Sequence, residues 1–310
     1  MKIVDAHCDT LNAMLEKKEG FGENSLQINL KNIKAGGLGN LLQFFAVFVH
    51  PSLSLEDGMK ATEDMIDIFN HMSREGFIEV IRNSSDLDKE GLKGLLSMEG
   101  MYFTGGNRDI VDELHSKGVR CMSLTWNPDN MYSGGISGNT AGGLTREGRR
   151  VVERALEKGI LIDVSHISDA GFFDVAEIAS EYGKPFAATH SNARALCHHK
   201  RNLDDSMLST IAAADGFTGI NMYSCFLSDN CEADVEDVVA HIDYICSRTG
   251  PAHVGFGSDF DGIDRNKSAI AGPHEFHDVI DRLLSMNYNE DDVRNIAFGN
   301  IERVLRKTLV

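Results

Sequence analysis

The chain has 310 residues, 42% of them hydrophobic and 25% charged. That length and balance suit one large domain or two small ones burying about 75% of the unfolded surface, and they exclude a disordered or fibrous chain. With 47 acidic against 30 basic residues the formal net charge is −17, a field that favours cations and repels phosphate backbones, so no nucleic-acid partner is expected.

The first strand is predicted over Ile3–Asp9, straight after Met1 and Lys2 and without the apolar stretch of a signal peptide. Residues 10–40 are polar and glycine-containing, with no clear period. The second strand is Leu41–His50. Ser54-Leu55-Glu56-Asp57 resembles a capping box with Asp in its last place, and opens a helix to about Arg74. A third strand spans Gly94–Glu99, a helix spans Asn107–Lys117 and stops at Gly118, and a fourth strand spans Val119–Trp126. Thr145 caps a helix running to Gly159. Strands and helices then alternate: strand Ile160–His166, helix Ala170–Tyr182, strand Pro185–His190, helix Asp204–Ala214, strand Phe217–Tyr223, helix Ala233–Arg248, strand His253–Phe260 and helix Glu275–Met286. Asp291–Lys307 is the last helix.

Near-continuous apolar strands suit a parallel sheet covered on both faces. Eight of them with interleaved helices predict an α/β fold, a single-domain (β/α)8 TIM-like barrel over residues 1–310; a doubly wound open sheet is the competing parse. No run approaches the ~18 apolar residues of a membrane span. The six cysteines form no CxxC pair and are too sparse for a disulfide scaffold. The expectation is a soluble, cytoplasmic protein with reduced thiols.

Chemistry collects at the strand ends. Strand one closes on Asp5-Ala6-His7-Cys8-Asp9, strand three on Ser97-Met98-Glu99-Gly100, strand five on Asp163-Val164-Ser165-His166, strand six on Ala188-Thr189-His190-Ser191 and strand eight on Ser258-Asp259-Phe260-Asp261-Gly262. In a (β/α)8 barrel these ends meet on one face, where active sites are built. His7 and Asp9, two apart on a strand, point to the same face, and Cys8 between them to the other. Taken singly, each of these residues is more often structural. Taken together, acids and histidines buried in one mouth would demand costly pairing unless a cation joins them. Three histidines and two or three carboxylates suit Zn2+, Mn2+, Fe2+ or Co2+, and five ligands fit two metals sharing one carboxylate better than one tetrahedral ion. His50 reads as packing or capping, His198, His199 and Lys200 as a solvated basic loop, and His115 and His241 as surface helix positions.

The segments DAHCDT, SMEG, LIDVSH, ATHSNAR followed by Lys200-Arg201-Asn202, and GFGSDFDG resemble the renal (membrane) dipeptidase family, the M19-type branch of the metal-dependent amidohydrolases. The match runs from Asp5 to the FGNIERVL ending at Leu305. The resemblance implies a zinc-dependent dipeptidase with two Zn2+ ions: His7 and Asp9 on one, His166 and His190 on the other, Glu99 bridging. It implies Asp259 as the proton-transfer residue, Arg201 as the holder of the substrate carboxylate and Tyr223 as a pocket residue. It also implies dipeptide substrates, with several members of the family accepting a D-residue at the C-terminal position, and leaves a homodimer open. The chain departs from the pattern at Leu124-Thr125-Trp126-Asn127, where renal-type enzymes have Leu-Thr-His. Trp126 offers one N–H donor and no cationic form, so it either donates to the oxyanion or shapes the pocket. Membrane anchoring does not carry over.

The mechanism expected is hydrolysis by a hydroxide bridging the two metals, with Asp259 as general base and then general acid. Two alternatives stay open at this point. One is an amidohydrolase acting on a cyclic amide, lactone or phosphoester, which would have no need of Arg201. The other is a non-catalytic metal-binding barrel.

Overall fold

The computed structural model describes residues 2–107, 109–138 and 142–310. Arg108, within the predicted helix Asn107–Lys117, lies outside the described residues. Eight parallel strands close on themselves: β1 (Ile3–Asp5), β2 (Leu41–Phe48), β3 (Lys93–Glu99), β4 (Val119–Ser123), β5 (Leu161–Asp163), β6 (Ala187–Ala188), β7 (Phe217–Ile220) and β8 (Val254–Phe256). β1 pairs with both β2 and β8, which closes the barrel and excludes the open-sheet parse. A two-residue strand, Glu79–Val80, adds to the start of β3. The longest ladder joins β2 to β3 from Leu42–Lys93 up to Phe48–Glu99, so Glu99 stands at the top of the wall beside Phe48.

Alternation along β2 explains why a barrel strand reads as continuously apolar. Leu42 and Phe44 face inward with Val4, Leu95, Leu161, Ala187 and Phe217. Leu41, Phe45 and Val47 face the helical ring. The barrel floor is closed by α12 (Asn300–Thr308), whose Ile301, Val304 and Leu305 join the inner cluster.

The ring helices follow the predicted spans closely. They include α3 (Leu55–Arg74), α4 (Ile110–Lys117), α5 (Arg146–Glu157), α6 (Asp169–Glu181), α7 (Asp205–Ala213), α9 (Val235–Thr249) and α10 (Phe276–Ser285). Local chemistry sets their starts. Ser54, Thr145, Ser168 and Asp204 each accept a backbone N–H three residues on. The box at Ser54 differs from the motif, because Asp57 accepts the Ser54 hydroxyl (2.7 Å).

Four readings need correction. Residues 10–40 hold two helices, α1 (Thr10–Lys17) and α2 (Leu30–Ala35). The last helix is interrupted: α11 (Glu290–Arg294) passes through a π turn at Asn295–Gly299 into α12, and Asn300 there donates to the carbonyls of Pro251 and Val254. His241 is buried rather than exposed, accepting from Ala193 N and holding the Leu227 carbonyl. The thiols are not all reduced: the turn after α8 (Ser224–Leu227) folds Cys231 back onto Cys225, and the two form a disulfide. Cys8, Cys121, Cys197 and Cys246 remain free.

Candidate active site

β3 ends at Glu99 as predicted; the other seven strands end short of their predicted ends, and the remaining chemical residues lie on the irregular segments beyond them. Asp9 sits at the N-cap position of α1 with no side-chain capping bond, and His166, Asp259 and Asp261 take left-handed backbone conformations (φ 69°, 64° and 66°). Such φ values at non-glycine residues store strain and cluster at functional sites. Gly262 is the counterpart: a Cβ there would fall on Asp9 Oδ2 and within 2.9 Å of Asp259 Oδ1. Only glycine lets this turn lie against the carboxylates.

The structure brings His7, Asp9, Glu99, His166, His190 and Asp259 into one buried cluster. His7 Nε2 is 3.4 Å from Asp9 Oδ2, 3.4 Å from Glu99 Oε2 and 4.0 Å from Asp259 Oδ1. Glu99 turns its other oxygen away from His7: Oε1 is 3.0 Å from His166 Nε2 and 3.7 Å from His190 Nε2. The two Nε2 atoms lie 2.8 Å apart. Glu99 thus faces His7 with one oxygen and His166 and His190 with the other, and the His7 and His190 rings lie 3.8 Å apart. Cys8 points the other way, into the outer core, and takes no part.

The charges follow from this geometry. Burial opposes ionisation of His7, yet Glu99 and Asp9 beside it hold its pKa well above the ordinary value. Glu99 stays well below the usual carboxylate range despite burial, because His7 and His166 face it. Burial, helped by the charge of Arg201, pushes His166 down to about 4, and burial likewise holds His190 well below its ordinary value. Burial, with Asp9 and Glu99 nearby, pushes Asp259 up to about 7.

The donor set fits divalent cations. His7 Nε2 and Asp9 Oδ1 are buried without a hydrogen-bond partner, the condition a metal ion relieves. Imidazole nitrogens and carboxylate oxygens with no thiolate suit zinc and its first-row neighbours.

Above the cluster opens a cleft of about 440 Å3. Asp9, Glu99, His166 and Asp259 form its floor, and Phe48, Trp126, Tyr223 and Phe226 form an aromatic wall. Trp126 packs edge-on to Phe48, with ring centroids 5.3 Å apart, and against His50 at 5.5 Å. Arg201 is placed differently from the other predicted residues. It lies buried behind Phe226, 5.5 Å from that ring, with Nη1 donating to Ser191 Oγ (3.1 Å) and Nη2 to the His190 carbonyl (2.9 Å). Its Nε is buried without a partner. His199 is not a solvated loop residue, because its ring packs on Phe226 at 4.6 Å.

Sequence reasoning did not single out Phe48, Asn127, Asn221 or Phe226 as site residues. Asn221 donates to Asp259 Oδ2 (2.8 Å) and Asn127 Oδ1 meets His166 Nδ1 (2.9 Å). A polar amide just beyond a barrel strand was the available signal for both.

A model of the membrane dipeptidases, peptidase family M19, matches residues 1–309. The chain belongs to this family. Its relatives include the dipeptidase aclJ of Aspergillus oryzae, 30% identical over 300 residues, which span 90% of this chain and 69% of that protein. The crystal structure of a Rhodobacter sphaeroides metallopeptidase, liganded with a phosphinate mimic of the dipeptide L-Ala-D-Ala, superposes with a TM-score of 0.89 at 27% identity and covers 99% of both chains. That of another M19 dipeptidase gives 0.89 at 28% identity, covering 100% of this chain and 99% of that one. This M19 protein is thus a metallo-dipeptidase on a (β/α)8 barrel, which sets aside the cyclic-substrate and binding-only alternatives. Among its described residues, no helix is long and apolar enough to cross a membrane.

Proposed function

We propose that this M19 enzyme is a two-zinc hydrolase of dipeptides, including those with a D-residue at the C-terminal position. The observation that carries the reading is Glu99, whose two oxygens face two different ligand groups, His7 with Asp9 and His166 with His190. When bound, two cations there would lower the pKa of a shared water and polarise the scissile carbonyl. His7 and Asp9 would hold one ion, His166 and His190 the other, and Glu99 both.

Asp259 is the proton carrier of this reading. Asn221 occupies its Oδ2, while Oδ1 faces the cluster, where it can take a proton from the attacking water and return it to the leaving amine. Arg201 Nε, a buried donor with no partner, is the guanidinium group left for a substrate carboxylate reaching past Phe226. Tyr223 and Trp126 bound the cleft and shape side-chain choice. The likeness to a structure holding a mimic of L-Ala-D-Ala supports the D-residue part of the reading.

The test is hydrolysis of L-L, L-D and D-L dipeptide panels by zinc-loaded protein beside a chelated control. Chelator-sensitive cleavage of L-D members is the expected result. Cleavage confined to L-L members would overturn the stereochemical part, and full activity in chelator would overturn the metal part.

A further inference from the structure

The imidazoles of His166 and His190 meet through Nε2, and each has its Nδ1 tied to a separate neighbour. A neutral imidazole has one proton, and the partner of one nitrogen decides whether the other is free to ligate. At His190 the partner is Thr189 Oγ1 (2.8 Å). A hydroxyl can donate or accept, so a third group must fix its direction. Asp163 does so. Its Oδ2 lies 2.6 Å from Thr189 Oγ1, and a carboxylate can only accept. The single O–H of Thr189 therefore points to Asp163, and its lone pair faces His190 Nδ1–H.

Asp163 is itself held in place. It is buried, and its Oδ1 accepts the backbone N–H groups of Ser165 and Thr189, both at 2.9 Å. At His166 the partner is Asn127 Oδ1 (2.9 Å), on a turn whose carbonyl accepts Ser137 N (2.8 Å). With that oxygen accepting, His166 also keeps its proton on Nδ1. Both Nε2 lone pairs are then presented together toward Glu99 Oε1. Three strand ends, those of β4, β5 and β6, supply the parts.

We propose that Asn127 and the Asp163–Thr189 pair are positioning residues that set the tautomer and aim of His166 and His190, and so tune cation affinity at that half-site alone. No hydrogen bond among the described residues joins either device to His7 or Asp9. The inference rests on the two-zinc reading above, and its consequence is asymmetric. Removing either device weakens one ion of the two.

The test is zinc binding to the full chain by competition with a chromophoric chelator, comparing wild type with Thr189→Val, Thr189→Ser and Asn127→Ala. Loss of an outer partner of a metal-ligating histidine typically weakens the metal about 10–100-fold. Thr189→Val and Asn127→Ala should each keep one zinc at wild-type affinity and bind the second that much more weakly, with activity returning at high zinc. Thr189→Ser keeps the hydroxyl and should bind both ions as wild type does. Should Thr189→Val not fold, Asn127→Ala, at a half-buried position, gives the same reading on the other histidine. Two unchanged affinities, two equally weakened ones, or a Thr189→Ser variant as weak as Thr189→Val would overturn the positioning role. A wild-type chain binding fewer than two zincs would instead overturn the two-zinc reading, and this inference with it.

Discussion

At the residue scale the site turns on how two carboxylates divide their oxygens. Glu99 gives one to each histidine group. Asp259 gives Oδ2 to Asn221 and keeps Oδ1 for the cluster. If Asp259 carries the proton, Asp259→Asn should retain zinc and lose about 10²–10⁴-fold in kcat, the usual weight of general acid–base catalysis. The pH dependence follows in sign. Asp259 can accept a proton only when ionised, and burial with two neighbouring carboxylates raises its pKa to about 7. Bound cations favour the ionised form and move the midpoint below that value. Activity at saturating zinc should therefore be full above pH 7 and fall as the pH drops through a midpoint below 7. A kcat/KM profile flat from pH 5 to pH 8 would remove Asp259 from this role.

At the element scale, the ring helices were legible because their caps and apolar periods are local properties. Ser54, Thr145 and Asp204 cap where a reader of sequence would place them. The strand ends were less legible. β5 stops at Asp163, whose Oδ1 accepts the Ser165 N–H, and the chain turns left-handed three residues on, at His166. A local pattern cannot show that turn, although it brings the histidine over the barrel mouth. His241 was misread for a similar reason. Its helix looks amphipathic, but the buried imidazole joins the Ala193 loop to the end of α8, a contact between elements far apart in sequence. Arg201 was legible as a candidate but not as a buried one. Residues 10–40 were opaque because a distant acid organises them: Asp261 accepts Gln27 N (2.6 Å), Ile28 N (3.2 Å) and the Thr10 hydroxyl (2.7 Å). Asp261→Ala removes all three bonds and leaves Ala in a left-handed conformation. Urea unfolding should show a loss on the order of 2–4 kcal/mol. A loss below about 0.5 kcal/mol, the level of an ordinary surface change, would mean that the segment is held by its apolar contacts instead.

At the scale of the whole molecule, the barrel has two ends with opposite physics. The floor is apolar and sealed by α12, through Ile301, Val304 and Leu305 against the inner faces of the strands. It depends on no ligand. The mouth gathers Glu99, the last residue of β3, with Asp9, Asp259 and three histidines from just beyond β1, β5, β6 and β8, and leaves His7 Nε2 and Asp9 Oδ1 without partners. Like charges brought this close and dehydrated oppose folding unless cations lie among them. An ion that binds only the folded chain adds stability by mass action, about 4 kcal/mol when present at a thousand times its dissociation constant. Stripping the proposed ions with a chelator should therefore lower the melting temperature, by roughly 5–15 °C for a chain of this size. The far-UV circular dichroism at 25 °C should change little, because the floor and the helical ring stay packed. Returning zinc should restore the melting temperature in proportion to the metal bound. An unchanged melting temperature, with metal analysis showing the ions removed, would mean that the mouth is held by its own hydrogen bonds and that the cations serve chemistry alone.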